Sequence, residues 1–260
     1  MARLDKKNWH VDQSRTVTDA GVRYLKELRS DRGFHPELMG AGTTFPQPWA
    51  TDLHNPGGVT APVVQYLTDI RGGGISVAKS IDNAAEAAQL TFGDQLQLPF
   101  VAGTWFETLI RIPTGGGPAA ANERIAWGLA SNHTNSEDGL NAVVTNAWFL
   151  LADDLDLLVE TDDGTTDNDD QDTGFDVVEN TWYHTRIEVV ALSRVIFRWA
   201  AYTEGSAPIW PAANALQLSM AALAANTLVQ PIFVVQQDGA SGVRDLEIQM
   251  RACEHDGWLQ

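Results

Sequence analysis

Alternation of apolar and polar residues with a period of two is the feature that most constrains how this chain can fold. It is clearest in three segments, 104–112, the first half of 194–202, and 245–253. A period of two sends successive side chains to opposite faces of a β-strand, so one face packs in a core and the other meets water. The pattern therefore predicts an all-β protein built from antiparallel strands.

Turn sequences rich in Gly, Asp and Asn separate these segments and set the number of strands. Short strands are expected at 63–68 and 75–79 and on both sides of a Gly-Asp turn within 89–98, whereas the Ala-rich stretches 84–88 and 212–225 are compatible with helix. The main strands are predicted near 103–112, 123–131, 142–151, 154–161, 173–178, 182–191, 194–203, 229–236 and 243–253. So many short strands without alternating helices indicate a two-sheet sandwich.

The first part of the chain has a different composition and is predicted to be an arm. We place the arm at residues 1–62 and the sandwich at 63–260. Within the arm, Asp19 is a plausible helix N-cap, and Leu25 and Leu28 form part of a narrow apolar stripe, which predicts one short helix. The rest of the arm is rich in Pro and Gly, which favours an extended segment lying along its own domain or a neighbouring subunit.

Charge is divided unevenly between the arm and the body. The chain carries a net charge of −17, but residues 1–32 hold eight of the 17 Lys and Arg residues against five acids. Nucleic acid and anionic membranes are therefore poor partners for the acidic body. The basic arm either docks on another acidic surface or is an ordinary exposed helix. The residues predicted to contact a partner are Arg3, Lys6, Lys7, Trp9, Arg15, Leu25, Leu28, Phe45 and Trp49.

Several classes of protein are disfavoured by what the sequence lacks. The single cysteine, Cys253, excludes an intrachain disulfide, and there is neither an apolar run long enough to span a membrane nor a secretion signal at the N-terminus. No nucleophile elbow, phosphate-binding loop or paired metal-binding histidines occur. We therefore expect a non-enzymatic protein without an organic cofactor, made in a cytoplasm.

The densest polar feature is an acidic segment, in which 12 of the 34 acidic residues fall within 153–179. Calcium prefers six to eight hard oxygen ligands, and a cation would relieve the repulsion between neighbouring carboxylates. Asp162, Asp167, Asp169 and Asp170 are the predicted calcium ligands. The sixth position counted from Asp167 is Asp172 where an EF-hand needs Gly, so the segment is not an EF-hand. A solvated acidic loop without metal is the alternative.

A glycosidase would need two acids facing one cleft, and Glu107 and Glu188 are the candidates. Glu107 and Glu188 lie on separate predicted strands and lack the spacing of a catalytic pair. Together with Arg111 and Arg186 they are better explained as cross-strand partners on a polar face.

The order of strand segments resembles that of the concanavalin A-like jelly roll, the lectin and laminin-G type of sandwich. The segments that carry the resemblance are 105–112, 126–130, 180–189, 194–202, 230–235 and 246–250. They cover a region of about 150 residues from Gly103 onward. The resemblance implies a jelly-roll fold for the sandwich.

The basic arm joined to such a sandwich resembles virion structural proteins of bacteriophages. This resemblance implies a capsid decoration or cement protein, located in the virion, that docks through its arm on a capsid or other virion protein and forms a homo-oligomer, a trimer or dimer. The alternative is a lectin-like carbohydrate-binding module of a phage fibre or tail. In that case the acidic segment, with calcium, and Trp148 or Trp210 would form the glycan site.

Overall fold

The protein is a sandwich of two antiparallel β-sheets, as the alternation predicts. A computed structural model describes residues 43–45, 49–57, 60–67, 74–80, 85–95, 98–120, 122–136, 139–191, 193–203, 209–220, 227–237 and 242–255, the last six by backbone alone. Within these ranges the only helix is a single 3-10 turn, Gly139–Ala142. None of the described segments forms a helix long and apolar enough to cross a membrane.

The described residues form fifteen strands in the two sheets. In chain order they are β1 (Ala50–His54), β2 (Val63–Tyr66), β3 (Ile75–Lys79), β4 (Glu86–Thr91), β5 (Leu98–Pro99), β6 (Thr104–Arg111), β7 (Glu123–Ala130), β8 (Asn146–Ala152), β9 (Asp156–Asp162), β10 (Asp167–Asp176), β11 (Tyr183–Ala191), β12 (Arg194–Ala201), β13 (Ala215–Ser219), β14 (Leu228–Gln237) and β15 (Arg244–His255). The first sheet has the order β1-β4-β14-β7-β8-β9-β10, with β5 paired to β14, and the second has the order β13-β12-β11-β6-β15-β3-β2.

The core lies between the two sheets and is filled by the apolar half of each alternating strand. Trp127 of β7 stacks on Phe149 of β8 at 5.6 Å, and Phe149 meets Phe197 of β12 edge-on at 5.3 Å across the sandwich. All three side chains are fully buried or nearly so. Aromatic pairs at these distances add to the stabilisation from buried apolar area.

A buried ionic group also joins the two sheets at one end of the sandwich. Glu123 of β7 accepts a 2.7 Å hydrogen bond from Nε of Arg244 on β15 and lies 3.6 Å from Nζ of Lys79 on β3. Burial lowers the pKa of Lys79 to about 8, although Glu123 opposes this shift. Two cations of the second sheet thus share one carboxylate of the first, and the ion pairs link the two sheets.

The outer face of the first sheet is covered by the connection between β7 and β8. We call this connection, residues 131–145 with 137 and 138 not described, the strap. Leu140 and Val143 of the strap pack against Ala126, Trp148, Leu150, Ile232 and Val234, which forms a second apolar cluster. Gly128 permits close contact in this sheet, because a Cβ there would lie 2.4 Å from the Ala147 carbonyl oxygen.

Four local expectations differ from the structure. Both Ala-rich stretches contain strands, β4 and β13, because pairing with neighbouring strands outweighs the helix propensity of Ala. The loop expected between the predicted strands 154–161 and 173–178 instead contains the first part of the edge strand β10. The sandwich also begins before the predicted boundary at 62/63, since β1 pairs with β4. The predicted arm helix lies outside the described residues.

Candidate functional site

The acidic segment is a β-hairpin made by β9 and β10 at the edge of the first sheet. Its turn is held by side chains: Oδ1 of Asp162 accepts from the Gly164 N–H at 2.6 Å, and Oδ1 of Asp163 accepts from the Thr165 and Thr166 N–H groups at 2.9 and 2.7 Å. Beyond the turn the pairing shifts in register between Asn168 and Gln171, where the backbone of Asp170 has a φ of 45°. Such a bulge redirects the side chains of the extra residues.

The bulged hairpin brings three carboxylates together on the outer side of the sheet. One oxygen each from Glu160, Asp167 and Asp169 lies within 4.8 Å of the others. Glu160 is 8% exposed, whereas the two Asp side chains are exposed. We call these three residues the carboxylate cluster. Two of the four predicted calcium ligands, Asp167 and Asp169, are thus close together, and Glu160 completes the group.

The other two predicted calcium ligands have different surroundings. Asp162 is engaged in the hairpin turn, and Oδ1 of Asp170 lies 4.0 Å from Nη1 of Arg124 on β7. Neither belongs to the three-residue group of oxygens that could hold a metal ion. No second group of this kind occurs among the described residues.

Glu160 is fixed in place from the buried side. Nδ2 of Asn146 on β8 donates to Oε1 of Glu160 at 2.9 Å, and Oδ1 of Asn146 accepts from the Asp162 N–H at 3.1 Å. Asn146 therefore ties the carboxylate cluster to the hairpin turn. Trp148, paired with Glu160 across the two strands, lies beside the same carboxylate.

The electrostatics of the carboxylate cluster disfavour full ionisation. Burial raises the pKa of Glu160 to about 7, and the negative charge of Asp169 adds to this rise. The side-chain N–H groups of Trp148 and Asn146 oppose it by lowering the pKa. A shared hydrogen bond with Asp169 raises the pKa of Asp167 to about 6. At neutral pH the cluster therefore favours either a shared proton or a bound cation.

The two tryptophans predicted to contact glycan are differently placed. Trp148 is 1% exposed beneath the strap, so its ring has no free face on which a sugar could stack. Trp210 is half-buried and lies against His184 of the second sheet, with ring centres 4.7 Å apart. Of the two alternatives, Trp148 therefore cannot form an exposed glycan site. Trp210 lies beside the second sheet, whereas the carboxylate cluster lies on the first.

Of the nine residues predicted to bind a partner, only Phe45 and Trp49 are described. Trp49 is 3% exposed and packs edge-on against Phe92 at 4.7 Å, and Phe45 lies 4.7 Å from Tyr66. Both aromatic rings are therefore used to anchor the chain on its own sandwich, which corrects their assignment to a partner surface. Arg3, Lys6, Lys7, Trp9, Arg15, Leu25 and Leu28 lie outside the described residues.

The glutamates considered for glycosidase chemistry are bound in an ionic network on the outer face of the second sheet. Glu107 contacts His184 and accepts from Nη1 of Arg186 at 2.6 Å, and Nε of Arg186 donates to Glu188 at 2.6 Å. Burial would raise the pKa of Glu107, but His184 and Arg186 outweigh it and lower the pKa. The expected pairing of Glu107 with Arg186 across strands is confirmed. Arg111 contacts Glu247 instead.

Comparisons with known proteins find similar solved structures but show no family for this chain. No protein-family profile and no curated protein matches the chain. Among solved structures, the carbohydrate recognition domain of Emp46p in its potassium-bound form is 11% identical, with a TM-score of 0.45 over 82% of this chain and 93% of that one. The VIP36 exoplasmic/lumenal domain, bound to Ca2+ and Man3GlcNAc, is 6% identical with a TM-score of 0.44 over 80% and 85% of the two chains.

A third similar structure is the binding domain of botulinum neurotoxin serotype D. It is 9% identical with a TM-score of 0.44, and the match covers 78% of this chain but only 42% of the toxin domain. The present chain thus spans less than half the length of that protein. At such identities and scores the similarities assign no function, and the functional argument depends on the residues of this chain.

Proposed function

We propose that this protein is a non-enzymatic, lectin-like binding module whose carboxylate cluster holds a calcium ion that contacts a carbohydrate ligand. The observation that carries the proposal is the approach of three carboxylate oxygens, from Glu160, Asp167 and Asp169, to within 4.8 Å of one another at an exposed sheet edge. The proposal depends on these side chains and not on the compared domains.

The coordination chemistry of calcium explains why a cation here would also bind a ligand. Calcium takes six to eight oxygens, and three carboxylates supply only part of that number. Hydroxyl pairs of a sugar could complete the coordination shell on the exposed side, where Asp167 and Asp169 lie. Asn146 holds Glu160 from the buried side, so the site would be supported without the ligand.

The absence of catalysis is part of the proposal. A glycosidase needs one carboxylic acid to give up a proton and a second carboxylate to act as base or nucleophile. Glu107 is instead held ionised by His184 and Arg186, and Glu188 is paired with Arg186 and Arg198. These ion pairs support a structural role for both glutamates.

The test is a glycan array probed with and without calcium, together with calcium titration by calorimetry. Wild-type protein should bind calcium and a defined set of glycans, and EDTA should abolish glycan binding. The variant Asp167→Asn/Asp169→Asn should lose both activities. Asp172→Asn, on the same strand but outside the carboxylate cluster, is the matched control. Glycan binding that is unchanged by EDTA and by the double substitution would refute the calcium site.

The virion role, with docking through the basic arm onto a capsid protein and homo-oligomerisation, stays a prediction. It is motivated by the net charge of +3 on residues 1–32 beside an acidic body. Docking through the arm is tested by removing residues 1–42 only, because Trp49 belongs to the core and a longer deletion would disturb the fold. Unchanged attachment of the truncated protein to particles would exclude docking through the arm.

A further inference from the structure

A buried hydrogen-bond donor beside the carboxylate cluster lacks an acceptor. Trp148 is 1% exposed, and its Nε1 is buried without a hydrogen-bond partner in the part of the chain that the structure describes. The N–H of Trp148 faces the Glu160 carboxylate and opposes the rise in pKa that burial causes there, but the two groups do not reach hydrogen-bond geometry. A buried donor without an acceptor is unfavourable in a native fold. An oxygen from outside the chain, such as a ligand hydroxyl, would satisfy it.

The carboxylate cluster lies in a strongly negative part of the surface. Residues 153–179 include 12 acidic residues and no Lys, Arg or His. All five Asp residues of β10 are exposed, and Asp162, the register partner of Asp167, adds a further charge that acts on the cluster. Among the described residues, one cation pairs with this hairpin, Arg124 at 4.0 Å from Asp170. Most of the negative charges therefore have no compensating cation beside them in the described ranges.

A bound calcium ion would leave this region negative. The three carboxylates of the cluster carry three negative charges when ionised, and the ion supplies two positive charges. The neighbouring Asp side chains of β10 add to the excess. Because like charges repel, acidic sugars that carry carboxylate or sulfate groups are poor ligands for this surface, whereas a protonated amine is attracted by every Asp within reach.

The donor, the carboxylate cluster and the surrounding charges are close enough to meet one ligand. Trp148 and Glu160 are register partners in the pairing of β8 with β9, and Asp162 and Asp167 are register partners in the pairing of β9 with β10. Register partners in antiparallel strands have Cβ atoms about 4.5–5.5 Å apart. A sugar whose hydroxyls reach the ion and the Trp148 N–H therefore has its remaining substituents beside Asp side chains.

We propose that the carbohydrate bound at the carboxylate cluster is an amino sugar, which carries protonated amines and no acidic groups. Its hydroxyls complete the coordination of the calcium ion and accept the Trp148 N–H, and its amines meet the exposed Asp residues around the cluster. This inference rests on the proposed function and adds the chemical class of the ligand. It makes charge, and not only the arrangement of hydroxyls, the basis of selection.

The experiment is a calorimetric titration of the full chain, with calcium in excess, using matched oligosaccharides of glucose, mannose and galactose. Each backbone is used in three forms, which carry an amine, a hydroxyl or a carboxylate at the position of the primary alcohol. For a backbone that binds, the amine form should bind about tenfold more tightly than the hydroxyl form, and the carboxylate form should bind most weakly. Salt at about 1 M should remove most of this difference, because the Debye length falls to about 3 Å.

The variant Asp162→Asn tests the preference for amines apart from the ion itself. Asn keeps an oxygen that can accept from the Gly164 N–H, so the hairpin turn and calcium binding should be retained. The preference for the amine form over the hydroxyl form should fall about two- to threefold, because one nearby charge is removed. Asp52→Asn removes an exposed charge from β1, at the opposite edge of the sheet, and is the matched control that should keep the full preference.

The outcomes separate this inference from the proposed function. Calcium-dependent binding with equal affinity for the amine and hydroxyl forms, or with the carboxylate form tightest, would refute the amino sugar and leave the calcium site intact. Calcium binding without affinity for any of the oligosaccharides would also refute it. If the amine form binds Asp167→Asn/Asp169→Asn in EDTA as tightly as it binds the wild type, the attraction is unspecific and the inference is wrong. A wild type that binds no calcium would remove the proposed function and this inference with it.

Discussion

Replacing Glu160 by Gln should stabilise the protein at neutral and alkaline pH and leave it almost unchanged in acid. In the folded protein, burial raises the pKa of Glu160 from 4.5 to about 7. At about 1.4 kcal/mol per pKa unit, this difference makes ionised Glu160 unfavourable to folding by about 3 kcal/mol above pH 7. Gln cannot ionise, and its amide oxygen can still accept the hydrogen bond from Asn146.

The sign of the pH dependence follows from proton uptake. Between about pH 4.5 and pH 7 the folded state holds the Glu160 proton more firmly than the unfolded state, so the free energy of unfolding falls as pH rises through this window. Glu160→Gln should therefore exceed the wild type by about 3 kcal/mol near pH 8 and by less than about 1 kcal/mol near pH 5. Urea unfolding followed by tryptophan fluorescence at both pH values measures the two differences.

Subtracting the variant from the wild type removes the contribution of titrating groups that do not interact with Glu160, such as Asp245, whose pKa burial raises to about 6. Asp172→Asn, an exposed charge on the same hairpin, should show the wild-type pH profile. Parallel pH profiles for wild type and Glu160→Gln would refute the assignment of Glu160 as the buried, proton-binding member of the carboxylate cluster.

Two further substitutions test the packing assigned to residues outside the carboxylate cluster. Trp49→Ala should lower the free energy of unfolding by about 3–5 kcal/mol, because Trp49 fills core space beside Phe92. Urea unfolding measures this loss, and a loss below about 1 kcal/mol would contradict the place of Trp49 in the core. Glu107→Gln should cost about 3–5 kcal/mol by leaving the buried Arg186 charge poorly compensated, whereas the more exposed Glu188→Gln should cost clearly less. Equal losses in thermal unfolding would argue against this ranking.

The sequence predicted strands well wherever alternation was regular. Segment 103–112 became β6 and segment 182–191 became β11 within a residue or so at each end, since burial of every second side chain fixes both the strand and its register. It failed where composition opposed the true structure. β13 lies within the Ala-rich stretch 212–225, and its pairing with β12 makes it a strand.

The candidate site was only partly predictable for a related reason. The density of acidic residues points to Asp167 and Asp169, but Asp residues disfavour strands, so the sequence predicts a loop where the structure has the first part of β10. The involvement of Glu160 depends on the register of the hairpin and on its bulge, which no local pattern specifies.

The composition of β10 has a consequence for how the protein meets its own copies. The outermost strand of a sheet offers unpaired backbone groups to which another strand could add. Five of the ten residues of β10 are Asp. If the β10 strands of two molecules paired, these like charges would face one another across the spacing of neighbouring strands, about 4.8 Å, and would repel. The charges of β10 therefore disfavour the addition of another strand on that side of the sheet.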